Sequence, residues 1–173
     1  MHRLPSRFKQ RVRLVNRRLL ALVCLGAIWP AHAQTSTATF TVTATVLPTC
    51  TVVGGVPLAF GVVTPGSQRD GSVTVSATCT LGTPYTLALD AGTGSGATVA
   101  SRLMTSGSDT LQYTLYQDAG RTTLWGDGSG GTSVRSSTGT GLTQSFTVYG
   151  RVPSNATAPV GSYTDTITVT ATY

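Results

Sequence analysis

From Thr39 onward, apolar and hydroxyl-bearing side chains alternate with a period of two, and that rhythm limits the chain to strands. Phe40, Val42, Ala44 and Val46 alternate with threonines. Val73, Val75, Ala77 and Cys79 alternate with Ser and Thr. Tyr85, Leu87 and Leu89 make a third face, and Leu111, Tyr113 and Leu115 a fourth. Phe146 and Val148 follow, with Tyr149 on the opposite side. Ile167, Val169, Ala171 and Tyr173 close the series, again between threonines. No apolar stripe at helical spacing is long enough to compete. Gly- and Pro-rich runs separate the strands, among them Thr64-Pro65-Gly66-Ser67, Gly92 to Gly96 and Asp127 to Gly131. These supply the positive or fixed φ that tight turns need. Short strands at this spacing predict an all-β, antiparallel sandwich.

The first 33 positions break the pattern. Arg3 to Arg18 is basic, Leu19 to Trp29 is a short apolar run, and Ala31-His32-Ala33 is a small-x-small cleavage site. Together they read as a secretory signal peptide over residues 1–33, with Gln34 as the mature start. The apolar run is too short to cross about 30 Å of hydrocarbon as a helix, so no membrane span is expected after its removal.

Charge then separates the function classes. The net charge of +6 is carried by the leader, which holds seven of the 12 basic residues. Residues 34–173 contain five Arg and six Asp, or about −1, with no Lys, Glu or His. A body without a basic face does not suit nucleic acid. Without His or Lys, general-base catalysis and His-based zinc ligation lack their usual residues. No catalytic residue, metal site or cofactor is expected. Cys24 leaves with the leader, and Cys50 and Cys79 remain. Two cysteines in an exported chain most simply form one disulfide.

Several segments in this order resemble one family: Thr37 to Cys50, Pro57-Leu-Ala-Phe-Gly61 and Gly82 to Gly92. Arg102-Leu-Met104, Leu115 to Asp127, Val148-Tyr-Gly-Arg-Val-Pro153 and Gly161 to Tyr173 continue the match. The chain resembles the spore coat protein U domain family, subunits of archaic, Csu-type chaperone–usher pili. The resemblance implies an incomplete immunoglobulin-like sandwich that lacks its last strand. A periplasmic chaperone lends a strand in transit, and at the outer-membrane usher the N-terminal segment of another subunit replaces it. The chain would then be a structural subunit of a surface pilus serving adhesion and biofilm formation, a homo- or hetero-polymer passing through the periplasm. Residues 34–48 would be the donor segment, and residues 49–173 the pilin domain. Phe40, Val42, Ala44 and Val46 would be the donor face. Ile167, Val169, Ala171 and Tyr173 would border the open groove and meet the chaperone. Periodicity by itself also allows Phe40–Val46 to be the first strand of the domain's own sandwich.

A second reading is a secreted monomeric β-sandwich that binds carbohydrate. Tyr113, Tyr116, Trp125 and Asp127 would be its platform, although core and turn roles suit them better. Asp118, Arg121 and Asp127 read as loop-ordering ion-pair or turn residues. The Asp127-Gly-Ser-Gly-Gly run lacks the spacing and closing Glu of a calcium loop.

Overall fold

The computed structural model describes residues 32–173. The proposed leader therefore lies almost wholly outside the described residues. Eight strands follow in chain order: β1 (Cys50–Val53), β2 (Arg69–Cys79), β3 (Pro84–Leu89), β4 (Arg102–Ser106), β5 (Asp109–Tyr116), β6 (Arg135–Thr138), β7 (Thr143–Val152) and β8 (Val169–Thr172). They form two sheets, ordered β1-β2-β7-β5-β4 and β6-β3-β8. Every pairing between strands is antiparallel.

The alternation read from the sequence decides which faces meet. Val75, Ala77 and Cys79 of β2, Leu111, Tyr113 and Leu115 of β5, and Val148 and Val152 of β7 are buried. So are Tyr85, Leu87 and Leu89 of β3, and all join one core cluster. One core residue follows the reading that core roles suit the aromatics, and a second was not anticipated. Trp125 is buried and donates its indole N–H to Leu87 O at 3.0 Å. Arg102, the first residue of β4, is fully buried. Its Nε donates to Asp90 O at 2.8 Å and its Nη2 to Trp125 O at 2.9 Å. Nη1 has no hydrogen-bond partner among the described residues. Burial lowers the pKa of this guanidinium from its ordinary value, with nearby acidic groups pulling the other way.

The disulfide joins Cys50 to Cys79. These residues stand directly opposite one another in the β1–β2 register. The bond therefore staples the first residue of β1 to the last of β2.

At both chain ends the structure differs from the period-two reading. Residues 32–49 have no regular secondary structure, and the expected Phe40–Val46 strand is absent. Phe40, Val42 and Val46 are 87%, 80% and 79% exposed. Alternation marks a segment able to pair, but a strand forms only when a partner edge satisfies its backbone. The C-terminal strand, Val169–Thr172, is shorter than the alternation from Ile167 to Tyr173. A single bridge joins Thr105 to Thr164, and the ladder to β3 begins only at Val169.

Candidate functional site

β8 lies at the edge of its sheet, with β3 on one side only. β1 is likewise an edge strand, and beyond it residues 54–63 leave the β2 ladder. Those ten positions make no backbone–backbone hydrogen bond among the described residues. Between this irregular stretch and the C-terminal segment runs an apolar groove. One part, about 460 Å³, is lined by Leu58, Phe60, Val73, Val75, Ile167 and Val169 among others. A second part, about 700 Å³, shares Leu58 and Phe60 and is closed by Ala156 and residues 158–163. An apolar slot between two walls with free backbone groups is shaped for one more strand, whose side chains would fill it and whose amides would pair.

Sequence positions each wall. On the 54–63 side the device is a pair of glycines. Gly71 of β2 stands opposite Gly150 of β7 on the inward face. A Cβ at Gly150 would lie 2.8 Å from Phe60 Cζ, and one at Gly71 would lie 2.9 Å from Ala59 O. The missing side chains make the bed on which Leu58 and Phe60 rest. Phe60 also meets Tyr113 edge-on, with centroids 5.9 Å apart.

The C-terminal wall is pinned by Asp165. Its Oδ1 accepts from Thr93 N at 2.7 Å and Thr93 Oγ1 at 2.8 Å. Its Oδ2 accepts from the Tyr113 hydroxyl at 2.6 Å. Burial first, then the hydrogen bond to Asp165, push the Tyr113 hydroxyl well above the ordinary tyrosine pKa. It stays a neutral donor. Asp90 takes the next step along the chain, accepting from Thr168 N at 3.0 Å. Two aspartates thus hold residues 165–168 in place before β8 begins.

Ile167 and Val169 line the groove. Ala171 is half-buried, and Tyr173 instead borders a shallow depression beside Pro84 and Thr138. Phe40, Val42, Ala44 and Val46 are exposed.

The carbohydrate platform does not assemble. Tyr113 and Trp125 are buried in the core, while Tyr116 lies on the opposite face of β5. Asp127 closes a turn by accepting from Ser129 N at 2.8 Å and Ser129 Oγ at 2.7 Å, which holds its carboxyl below the usual range. Asp118 does the same for the Thr122 and Thr123 amides, at 3.0 Å and 2.7 Å, and its pKa is lowered for that reason. Arg121 turns to Asp70 at 3.3 Å and lies over Tyr149. No cluster of His, Cys, Asp or Glu suited to a metal ion occurs among the described residues.

The wall formed by residues 54–63 was the least visible part of the sequence, whereas the C-terminal wall was expected from the family resemblance. Pro57-Leu-Ala-Phe-Gly61 entered only as a segment of the family resemblance, and nothing local marks it as a wall. The only available signals were Gly71 and Gly150, each interrupting an otherwise regular strand, which suggests a close backbone approach.

Comparison with known proteins adds three findings. The family model for the Spore Coat Protein U domain matches residues 36–170. Protein U of Myxococcus xanthus is 36% identical over 169 residues, covering 88% of this chain and 93% of that protein. Among solved structures, the chain is similar to the CsuC–CsuE chaperone–tip adhesion subunit pre-assembly complex from the archaic chaperone–usher Csu pili of Acinetobacter baumannii. The TM-score is 0.52 at 22% identity, over 75% of this chain and 40% of that one.

Proposed function

The chain belongs to the Spore Coat Protein U domain family, and from that premise we propose that it is a structural subunit of a chaperone–usher pilus that polymerises by strand donation. The observation that carries the reading is the groove. It has an apolar floor, one wall without backbone pairing and a second wall with a free strand edge. In the same chain an apolar, alternating segment stands exposed and unpaired.

The two halves complement each other chemically. Burying Phe40, Val42, Ala44 and Val46 contributes about 5–8 kcal/mol before ordering costs. Each backbone bond formed with the walls adds about 0.5–1.5 kcal/mol net. The segment of one copy in the groove of the next is a head-to-tail contact, which does not close on itself and so builds a filament. An unfilled groove would aggregate, so a periplasmic chaperone is the partner in transit and an outer-membrane usher the site of exchange. Export, surface display, adhesion and biofilm formation belong to the same reading. The role is mechanical rather than enzymatic, and no cofactor enters it.

The test is Phe40→Asp, which places a charge on the donor face. The variant is expected to remain soluble with its chaperone and to give cells without fibres by electron microscopy. Normal fibres in that strain would remove the donor assignment.

A further inference from the structure

A chain with an unfilled groove and an apolar segment just before it faces a simple hazard, which is filling its own groove. We propose that Thr80 prevents this and so commits the N-terminal segment to a second copy of the chain. The proposal rests on the strand-donation reading above.

The shortest self-filling route is a hairpin onto the free edge of β1, the outer strand of its sheet. Side-chain parity fixes that hairpin. Opposed residues in an antiparallel pair face the same side. Cys50 and Val52 are half-buried, whereas Thr51 and Val53 are exposed. To turn Phe40, Val42, Ala44 and Val46 inward, Val46 must face Cys50 and Ala44 must face Val52. That leaves Leu47-Pro48-Thr49 as the loop. Three-residue hairpin loops are common, and Pro48 brings the φ that turns favour. The local sequence therefore permits the fold-back.

Thr80 opposes it by holding Thr49, the last residue of that loop, and lying against Leu47, the first. Its N–H donates to Thr49 O at 3.0 Å, and Thr49 N–H donates to Thr80 Oγ1 at 3.1 Å. The same hydroxyl lies 3.5 Å from Leu47 O. The side chain is needed because the Thr80 carbonyl is already taken, accepting from Thr83 N at 3.1 Å in the turn after β2. The hydroxyl takes its place and adds one more rung to the β1–β2 ladder, next to the Cys50–Cys79 bond. Residues 47–49 then run on past β1 and do not reverse. Thr80 is a positioning residue, acting on where the donor points and not on the groove.

The test compares wild type, Thr80→Val, Thr80→Ala and Thr80→Ser as oxidised full-length chains diluted from denaturant. Light scattering reads the fraction that stays monomeric, and a synthetic peptide of residues 34–48 reads whether the monomer's groove is open. Thr80→Val and Thr80→Ala are expected to raise the fraction of closed monomer, inert to peptide and unable to polymerise, about tenfold, the weight of the lost hydrogen bond from Thr49 N–H to the hydroxyl. Thr80→Ser keeps the hydroxyl and is expected to match wild type. If Thr80→Val and Thr80→Ala polymerise and take peptide as wild type does, the clamp is overturned while strand donation stands. If wild type takes no peptide, strand donation fails and the clamp falls with it. Loss of near-UV circular dichroism in both Thr80→Val and Thr80→Ala also overturns it, because the rung would then hold the sandwich and not the segment.

Discussion

The Tyr113 hydroxyl donates to Asp165 Oδ2 at 2.6 Å, and this bond ties the five-stranded sheet to the wall of the groove. Asp165 also receives the Thr93 amide and hydroxyl. With the Thr166 amide, which donates to Oδ1 at 2.8 Å, removing it strands four donors, whereas removing the Tyr113 hydroxyl strands none. Asp165→Ala is therefore expected to cost about 3 kcal/mol and Tyr113→Phe about 1 kcal/mol. Urea unfolding of the two variants checks the order.

The same bond sets an alkaline limit. The Tyr113 pKa is raised in the folded state, so its contribution is complete below the unfolded value near 10 and is lost as pH rises beyond it. The urea midpoint is expected to fall progressively from about pH 10 upward in wild type. In Tyr113→Phe that part of the fall disappears.

Acid acts with the opposite sign. The hydrogen bond from Arg151 to Asp70, at 2.8 Å, and the charge of Arg121 hold the Asp70 pKa below its ordinary 3.8. Asp118 and Asp127 are lowered as well, by turn hydrogen bonds. Their contributions are present above the unfolded value and are lost as pH falls below it. Asp70 sits on the surface, so Asp70→Asn is expected to flatten the acid limb only slightly, and less in high salt. Thermal melts at pH 3 and 5 with and without salt measure this.

Much of the sandwich was legible because burial is written in alternation. Leu111, Tyr113 and Leu115 are each inward and buried, and Tyr85, Leu87 and Leu89 behave alike. β4 was missed because Arg102 puts a charge at an inward position, where only a set of backbone carbonyls makes it tolerable. β6 is Arg-Ser-Ser-Thr and has no apolar member to betray it. The turn runs were readable, since Gly66, Gly92 and Gly128 all take positive φ. The groove was not readable from periodicity, because its walls are defined by what they lack, namely partners for residues 54–63 and for the edge of β8. Phe40–Val46 alternates like any strand, so the pattern by itself did not distinguish a strand in place from one kept for another molecule.

The glycine bed makes a separate prediction. Gly71→Ala would bring a methyl against Ala59 O, which is backbone and cannot swing aside. Residues 58–60 must then shift, narrowing the groove. The variant is expected to fold with a loss of about 1–3 kcal/mol and to bind the 34–48 peptide at least tenfold more weakly. Calorimetry of peptide binding checks it.

The disulfide closes a loop of 29 residues in separation. In the chain-entropy model its loss costs about 3.5 kcal/mol. Cys50→Ser/Cys79→Ser is expected to lower the urea midpoint accordingly, and to weaken the hold on the segment that leaves β1 at its first residue.

The central claim is that the groove takes the N-terminal segment of another copy. The most direct measurement titrates the oxidised Phe40→Asp chain, unable to donate, with the wild-type peptide of residues 34–48. Saturable one-to-one binding is predicted, with a rise in melting temperature of roughly 10 °C at a peptide concentration about a hundredfold above Kd. No binding and no shift, together with a wild-type chain that remains a stable monomer, would contradict it.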